Sequence, residues 1–258
     1  MLKVLDCHGV LYTETMNLLI TGATGIAAAT VRLALAAGHN VFVTSLNADD
    51  CALLNVPYLA ADLTDSVQAD AAVAVAVQTL GSLEGVFCVV GGSGRRFGDG
   101  PLDACTDDGW QQTFALNLDT TFHIARAALR QFLAQDTGGN LVFTGSVLAS
   151  HPEPGKFATH AYAASKGAIL SLVTTLASYY APQKIRVNAV APGLVRTPMS
   201  QRAQSDSEIL ELMRTKQPLA EDLLDAEEIA KAALFLLSES ATQITGQTLT
   251  VDGGWSVS

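Results

Sequence analysis

Short apolar stretches recur along the chain at residues 17–21, 41–44, 56–60, 86–90, 140–144, 185–190 and 247–251. Each is apolar at successive positions, with little polar alternation, which predicts strands buried on both faces of a sheet. Stretches with helical periodicity lie between them, at 26–37, 66–80, 107–135, 161–180, 207–213 and 226–237, and Gly38 stops the first of these. Strands alternating with helices through right-handed crossovers predict an α/β fold: a Rossmann-type, doubly wound parallel sheet of about seven strands with helices on both faces. Residues 1–16 form a mixed lead-in without a period, and 17–258 read as a single Rossmann-type domain, since no linker or repeat divides them. The stretch 197–218 is long and polar, follows a strand, and is a candidate substrate lid.

Composition narrows the function classes. At 258 residues, 49% hydrophobic and 16% charged, the chain can build one sizeable core and does not look disordered. No apolar run reaches the roughly 18 residues that a membrane helix needs. The first residues lack a basic region followed by an apolar stretch, so no signal peptide is expected. A formal net charge of −10 repels phosphate backbones and argues against nucleic acid as a partner. Cys7, Cys51, Cys88 and Cys105 form no CxxC pair and have no metal-ligand spacing with histidine. The expectation is a reduced cytoplasmic protein with no metal site and no membrane association.

The turn Thr21-Gly22-Ala23-Thr24-Gly25-Ile26-Ala27-Ala28 follows the first strand and opens the first helix. Gly22 permits a tight turn, and Gly25 lets backbone approach a pyrophosphate at the positive helix end. The same glycines also suit a plain strand–turn–helix connection. The second strand should carry the residue that sorts cofactors, and Ser45, Leu46 and Asn47 offer neither an acid nor a base. Asp49 and Asp50 follow and would repel an extra phosphate, which favours NAD over NADP. Asp62 and Leu63, after the third strand, could touch an adenine ring; Asp62 could equally be a helix N-cap or a turn residue.

Tyr162 and Lys166 are spaced i,i+4 and so share a helical face. A free tyrosine has a pKa of about 10, and a nearby ammonium group favours the phenolate. Such a pair can give or take a proton at a carbonyl or hydroxyl. Ser146 follows the fifth strand, at the carboxyl edge of the sheet, where its hydroxyl could hold a reacting oxygen or simply cap a turn. Asn117 stands inside a helical stretch, where asparagine is unfavourable; it either marks a distortion that orders a water or faces solvent.

With these residues placed, the chain resembles the classical short-chain dehydrogenase/reductase family from about residue 16 to residue 255. The resemblance rests on the glycine turn, Asn117, Ser146, Tyr162-x-x-x-Lys166, the run of Pro192, Gly193, Val195 and Thr197, and the ending at 244–254 (Ile-Thr-Gly-Gln-Thr-Leu-Thr-Val-Asp-Gly-Gly). It implies NAD(P)-dependent interconversion of a secondary alcohol and a ketone, with hydride moving between the nicotinamide ring and a substrate carbon. Tyr162 would donate or accept the proton. Lys166 would lower its pKa and bind the nicotinamide ribose, Ser146 would position the substrate oxygen, and Asn117 would anchor a water in the proton relay. The resemblance also implies cofactor contacts for Gly22, Thr24, Gly25, Ile26, Ser45, Asp62, Leu63, Gly91, Gly92, Pro192, Gly193, Val195 and Thr197.

Two departures stand out. The glycine turn is one residue shorter than the family's TGxxxGxG, with Ala28 at the last glycine, and Val89-Val90-Gly91-Gly92 replaces the usual Asn-Asn-Ala-Gly, removing two side chains that would brace the sheet. Specificity should come from residues 148–160, including His151 and His160, and from the lid; Arg95 and Arg96 either meet an anionic substrate or are solvated. The family is often tetrameric, so a homo-oligomer, preferably a tetramer, is expected, with Ala163, Ala164, Ala168, Leu170, Leu172 and Val173 as an apolar interface unless that face packs within the monomer. Two alternatives use the same fold: a non-redox epimerase or dehydratase, and a catalytically silent dinucleotide-binding protein.

Overall fold

The structure is a computed structural model that describes residues 15–258. Most of the 1–16 lead-in, with Cys7, lies outside the described residues; Met16 already pairs, its carbonyl accepting from Asn40 N at 2.9 Å. In chain order the elements begin β1 (Asn17–Thr21), α1 (Ile26–Ala36), β2 (Asn40–Ser45), α2 (Ala48–Ala52), β3 (Tyr58–Ala60), α3 (Ser66–Leu80) and β4 (Gly85–Cys88). They continue through α4 (Asp107–Phe114), α5 (Thr120–Gln135), β5 (Gly139–Thr144), α6 (His160–Tyr180), β6 (Ile185–Pro192), α7 (Gln201–Gln204), α8 (Ser207–Lys216), α9 (Ala226–Leu237) and β7 (Thr248–Val251).

The seven strands form one sheet in the order β3-β2-β1-β4-β5-β6-β7, and every neighbouring pair is parallel. This is the doubly wound sheet that the apolar pattern predicts. Side chains of β1, β4, β5 and β6 point alternately into two cores because helices cover both faces. One core packs α3, α5 and α6 on the sheet around Phe132, Phe143 and Ile169. The other packs α1 and α9 around Ile20, Phe87 and Ile229. The order reverses between β1 and β4, and the crevice at that switch point opens at the carboxyl ends of the strands.

Five differences from the expected elements have local causes. β4 ends at Cys88 instead of 90, because Val89 N and Val90 N donate to Thr21 Oγ1 (2.9 and 3.2 Å) and not to a neighbouring strand. β3 starts at Tyr58, after Asn55 at φ 53° and Pro57, which has no N–H to offer. The stretch 107–135 is not one regular helix, because a π-helical turn over Ala115–Asp119 separates α4 from α5. The polar stretch 197–218 is folded into α7 and α8, whose Ala203, Ile209 and Met213 pack with Val147, Leu223 and Trp255 in a third small core. α2 was not anticipated; Asn47 caps it by accepting from Asp49 N and Asp50 N.

Candidate active site

Strand ends and helix starts bring the expected residues together at the carboxyl edge. α6 carries Tyr162 and Lys166 on its buried face, and both are nearly inaccessible. Its start is fixed from a distance: the buried carboxylate of Asp99 accepts Ala161 N at 3.0 Å and Tyr162 N at 2.9 Å. Thr159, at the usual capping position, makes no side-chain cap. Asp99 thus supplies the anchoring acceptor that the helix dipole favours, directly beneath Tyr162. Sequence reasoning missed it, because the contact spans about sixty positions and follows no local motif.

Lys166 is only 3% exposed and donates one hydrogen bond, to Thr144 O at 2.8 Å. Burial pulls its pKa down from 10.5 to about 8, against a smaller opposing influence of the Cys88 thiol. Its ammonium group stands 5.7 Å from the centre of the Tyr162 ring. Burial pushes the Tyr162 phenol above its ordinary value, and a hydrogen bond with Ser146 works the other way. The direction is opposite to the depressed value that the spacing alone suggests, because desolvation is the larger influence. Ser146 is the turn cap that its position allowed, and it also faces the Tyr162 phenol. Its Oγ accepts from Leu148 N at 3.2 Å as the cap of a short 3-10 turn, and it bonds to the Tyr162 hydroxyl.

Asn117 sits in the π-helical turn and is fully buried, so the distortion is real and the solvent-facing alternative does not hold. Its amide donates to Gly92 O and to Thr113 O, each at 2.9 Å, and accepts from Gly92 N at 3.1 Å. The side chain therefore clamps the loop after β4. Together with Thr21, which holds Val89 and Val90, it supplies the bracing that the missing asparagine pair left open. A Cβ on Gly91 would lie 2.7 Å from Asn117 Oδ1 and 3.3 Å from Lys166 Nζ, so only glycine brings backbone this close to the ammonium group.

The residues present fit a dinucleotide. Gly25 has φ 53°, and a Cβ there would come within 2.9 Å of Thr197 Cγ2, so the glycine turn and the start of the lid share one narrow cradle. No side chain caps the first N–H groups of α1 and no acid stands in its first turn, which leaves that end open to an anion. The Lys166 ammonium group keeps two donors beyond its bond to Thr144, which suit ribose hydroxyls.

Other candidates are placed as follows. Thr24 is exposed and Ile26 half-buried at this turn, Ser45 is half-buried at the end of β2, and Pro192 closes β6. Gly193 N donates to Val251 O, Val195 is buried, and Thr197 caps a short 3-10 turn with Ser200. Asp62 is a turn residue, accepting from Thr64 N at 2.9 Å, and the cap of α3 is Asp65 instead. Leu63 is buried in the core beneath α3. Gln217, fully buried, accepts from Leu194 N at 2.6 Å and donates to Asp222 O at 2.8 Å, fastening the end of the α7–α8 segment; this role had no signal in the sequence.

A cavity of about 360 Å³ opens in front of Ser146 and Tyr162, under Met199 and Trp255. A larger hollow of about 1130 Å³ lies at the opposite, amino edge, near Met16, Glu84 and Arg186, far from the tyrosine. The smaller cavity is the one lined by Ser146 and Tyr162, and so is the candidate site. His151 and His160 are exposed. Val173 is fully buried within the monomer core and so is withdrawn from the expected interface. Among the described residues no group of three or more His, Cys, Asp or Glu is placed to hold a metal ion, and no helix is long and apolar enough to cross a membrane.

A family profile described as "Enoyl-(Acyl carrier protein) reductase" matches residues 21–256. The chain is 34% identical to an A-factor type gamma-butyrolactone 1'-reductase of Streptomyces virginiae, over 98% of this chain and 99% of that one. It is 31% identical to 3beta-hydroxysteroid dehydrogenase 2 of Eggerthella lenta, over 91% and 92%. A solved short-chain type dehydrogenase/reductase from Mycobacterium ulcerans superposes with a TM-score of 0.86 at 28% identity, covering 95% and 92%. A 3-ketoacyl-(acyl-carrier-protein) reductase from Brucella melitensis, solved with NADH, gives 0.82 at 25% identity, covering 93% and 98%. The chain belongs to the classical short-chain dehydrogenase/reductase family and is an NAD(P)-dependent oxidoreductase.

Proposed function

We propose that Tyr162 is the proton donor and acceptor in the interconversion of a small secondary alcohol and its ketone, with Ser146 and Lys166 acting on the same oxygen and the same phenol. The observation that carries this reading is the convergence of a Ser146-bonded phenol and a buried, under-coordinated ammonium group at the mouth of one cavity. The nicotinamide, when bound, supplies or takes the hydride at the substrate carbon. In the reducing direction the Tyr162 phenol gives its proton to the carbonyl oxygen as that oxygen gains charge. Ser146 holds the oxygen, and the Lys166 ammonium group stabilises the phenolate that remains. In the oxidising direction the same groups take the proton back. Asn117 is a positioning residue, since its amide is committed to Gly92 and Thr113.

NAD is the preferred cofactor in this reading. Asn47 is engaged in capping α2, and Asp49 and Asp50 in that helix's first turn present negative charge where a 2′-phosphate would lie. Gly22, Thr24, Gly25 and Ile26 would hold the pyrophosphate, Ser45 and Asp62 the adenosine side, and Gly91, Gly92, Pro192, Gly193, Val195 and Thr197 the nicotinamide side. Leu63 contributes through its backbone, its side chain being in the core. The protein would act in the cytoplasm as a homo-oligomer, preferably a tetramer. The test is the oxidation or formation of NADH and NADPH, followed by absorbance across a panel of ketones and alcohols. Turnover with kcat/KM at least about tenfold higher for the NAD couple is expected. Equal or better use of NADP contradicts the sorting argument, and no binding of either dinucleotide contradicts the whole reading.

A further inference from the structure

The cavity in front of Tyr162 carries positive charge that proton transfer does not use. Arg95 and Arg96 come from the turn after β4, and Arg202 comes from α7 in the lid; all three line the cavity with Ser146 and Tyr162. This concentration is unusual for a chain with 25 acidic residues against 15 Lys and Arg. Four of the six arginines elsewhere sit on carboxylates, Arg32–Glu227, Arg130–Asp70, Arg196–Asp222 and Arg214–Glu211, while Arg186 bonds backbone carbonyls and Arg126 lies over the Phe122 ring. Among the described residues none of the three cavity arginines has such a partner.

Their existing contacts satisfy hydrogen bonds but not charge. Arg95 Nη2 and Arg202 Nη2 both donate to one neutral oxygen, Lys156 O, at 2.6 and 3.1 Å. Two guanidinium groups drawn to one oxygen repel each other: after burial, the Arg202 charge is what lowers the pKa of Arg95. Asp99 offsets this in part, yet its two carboxylate oxygens already accept from Ala161 N and Tyr162 N. The nearby acids at the start of α8 are engaged as well, since the Lys156 ammonium group takes the cap Asp206 at 2.7 Å and Glu208 at 2.8 Å. Arg96 lies over the Phe97 ring at 4.5 Å, exposed at the rim.

We infer that this cavity takes a substrate bearing, besides its carbonyl or alcohol, an oxyanion group, carboxylate or phosphate ester, held between Arg95 and Arg202. Guanidinium forks match the paired oxygens of such groups, and a partly dry cavity strengthens the attraction. The arrangement also divides the work. Arg95 is on the fixed body and Arg202 on the lid, so one anion bridges the two and orients the far end of the substrate toward Tyr162. Leu148, Phe157 and Met199 provide an apolar wall for the carbon skeleton. The inference rests on the oxidoreductase reading of the same site and names its substrate class.

The test compares matched probes on the dinucleotide-loaded protein by ligand-observed NMR: levulinate against methyl levulinate, and dihydroxyacetone phosphate against dihydroxyacetone. At least one anion should bind about tenfold or more tightly than its neutral partner. Which pair shows the preference separates carboxylate from phosphate ester. The preference should fall to near unity when Arg95→Met and Arg202→Met are combined, and survive in part in Arg95→Lys with Arg202→Lys, which keeps the charge. Equal binding within both pairs, no binding by either anion, or a preference that survives the double methionine variant overturns the inference. Turnover of the neutral ketones without any anion preference would overturn it while leaving the oxidoreductase reading intact. An arginine-dependent preference without turnover would do the reverse.

Discussion

Lys166 holds a charge where burial opposes it, and that cost makes its role measurable. Its folded-state pKa is lowered to about 8 from 10.5. Between those values the unfolded chain binds more protons than the folded one, so this residue makes stability rise with pH across that window. Below it both states are protonated and the penalty is fully present; above it both are neutral and the penalty is gone. Lys166→Met removes the titration. The unfolding free energy of the wild type should therefore gain on that of the variant by up to about 3 kcal/mol between pH 8 and 10.5, as read by urea titration at each pH. A difference that does not change with pH would mean the ammonium group is better solvated than its 3% exposure implies. The pairing of Tyr162 with Lys166 was legible from their spacing. The direction of the tyrosine's shift was not, because it depends on how much water the fold removes from both groups.

At the scale of elements, the strands and the longer helices followed from apolar periodicity, the short α2 and α7 did not, and several element ends are held by distant side chains. Asp99 caps α6 from the loop after β4, Thr21 ends β4 by taking the N–H groups of Val89 and Val90 just beyond it, and Gln217 fastens the end of the α7–α8 segment. None of these contacts lies within a sequence window, so no pattern of spacing could have disclosed them. Asn117 was the exception: an asparagine at a helical position signalled a distortion, and a π-helical turn stands there. Asp99→Ala should cost about 1–2 kcal/mol through the lost cap. It should also lower kcat with little change in the KM for the dinucleotide, because the first turn of α6 aims Tyr162. Asp99→Asn, which keeps one acceptor, should recover part of kcat. If stability falls while kcat stays at the wild-type level, Asp99 is only a cap.

Over the whole molecule, the doubly wound sheet places every chemically marked residue at one edge. That edge was readable because the glycine turn, Ser146 and Gly193 follow strands and Tyr162 lies in the first turn of a helix, with Asn117 inside a helical stretch as the exception. Assembly was less readable, since burial within the monomer decides which apolar residues remain available. Val173 is buried, while Phe122 on α5 and Tyr179 on α6 remain 44% and 71% exposed. If these faces join subunits, light scattering should give a tetramer for the wild type and smaller species for Phe122→Glu; a monomeric wild type would contradict the proposed assembly. The central claim, that Tyr162 moves the proton, is tested most directly by Tyr162→Phe. The variant removes one hydroxyl, and both kcat for the best ketone and the dissociation constant for the dinucleotide are measured. The account predicts that kcat falls by roughly a hundred- to ten-thousand-fold while dinucleotide binding is kept. A kcat within a few-fold of wild type, with binding intact, would contradict it.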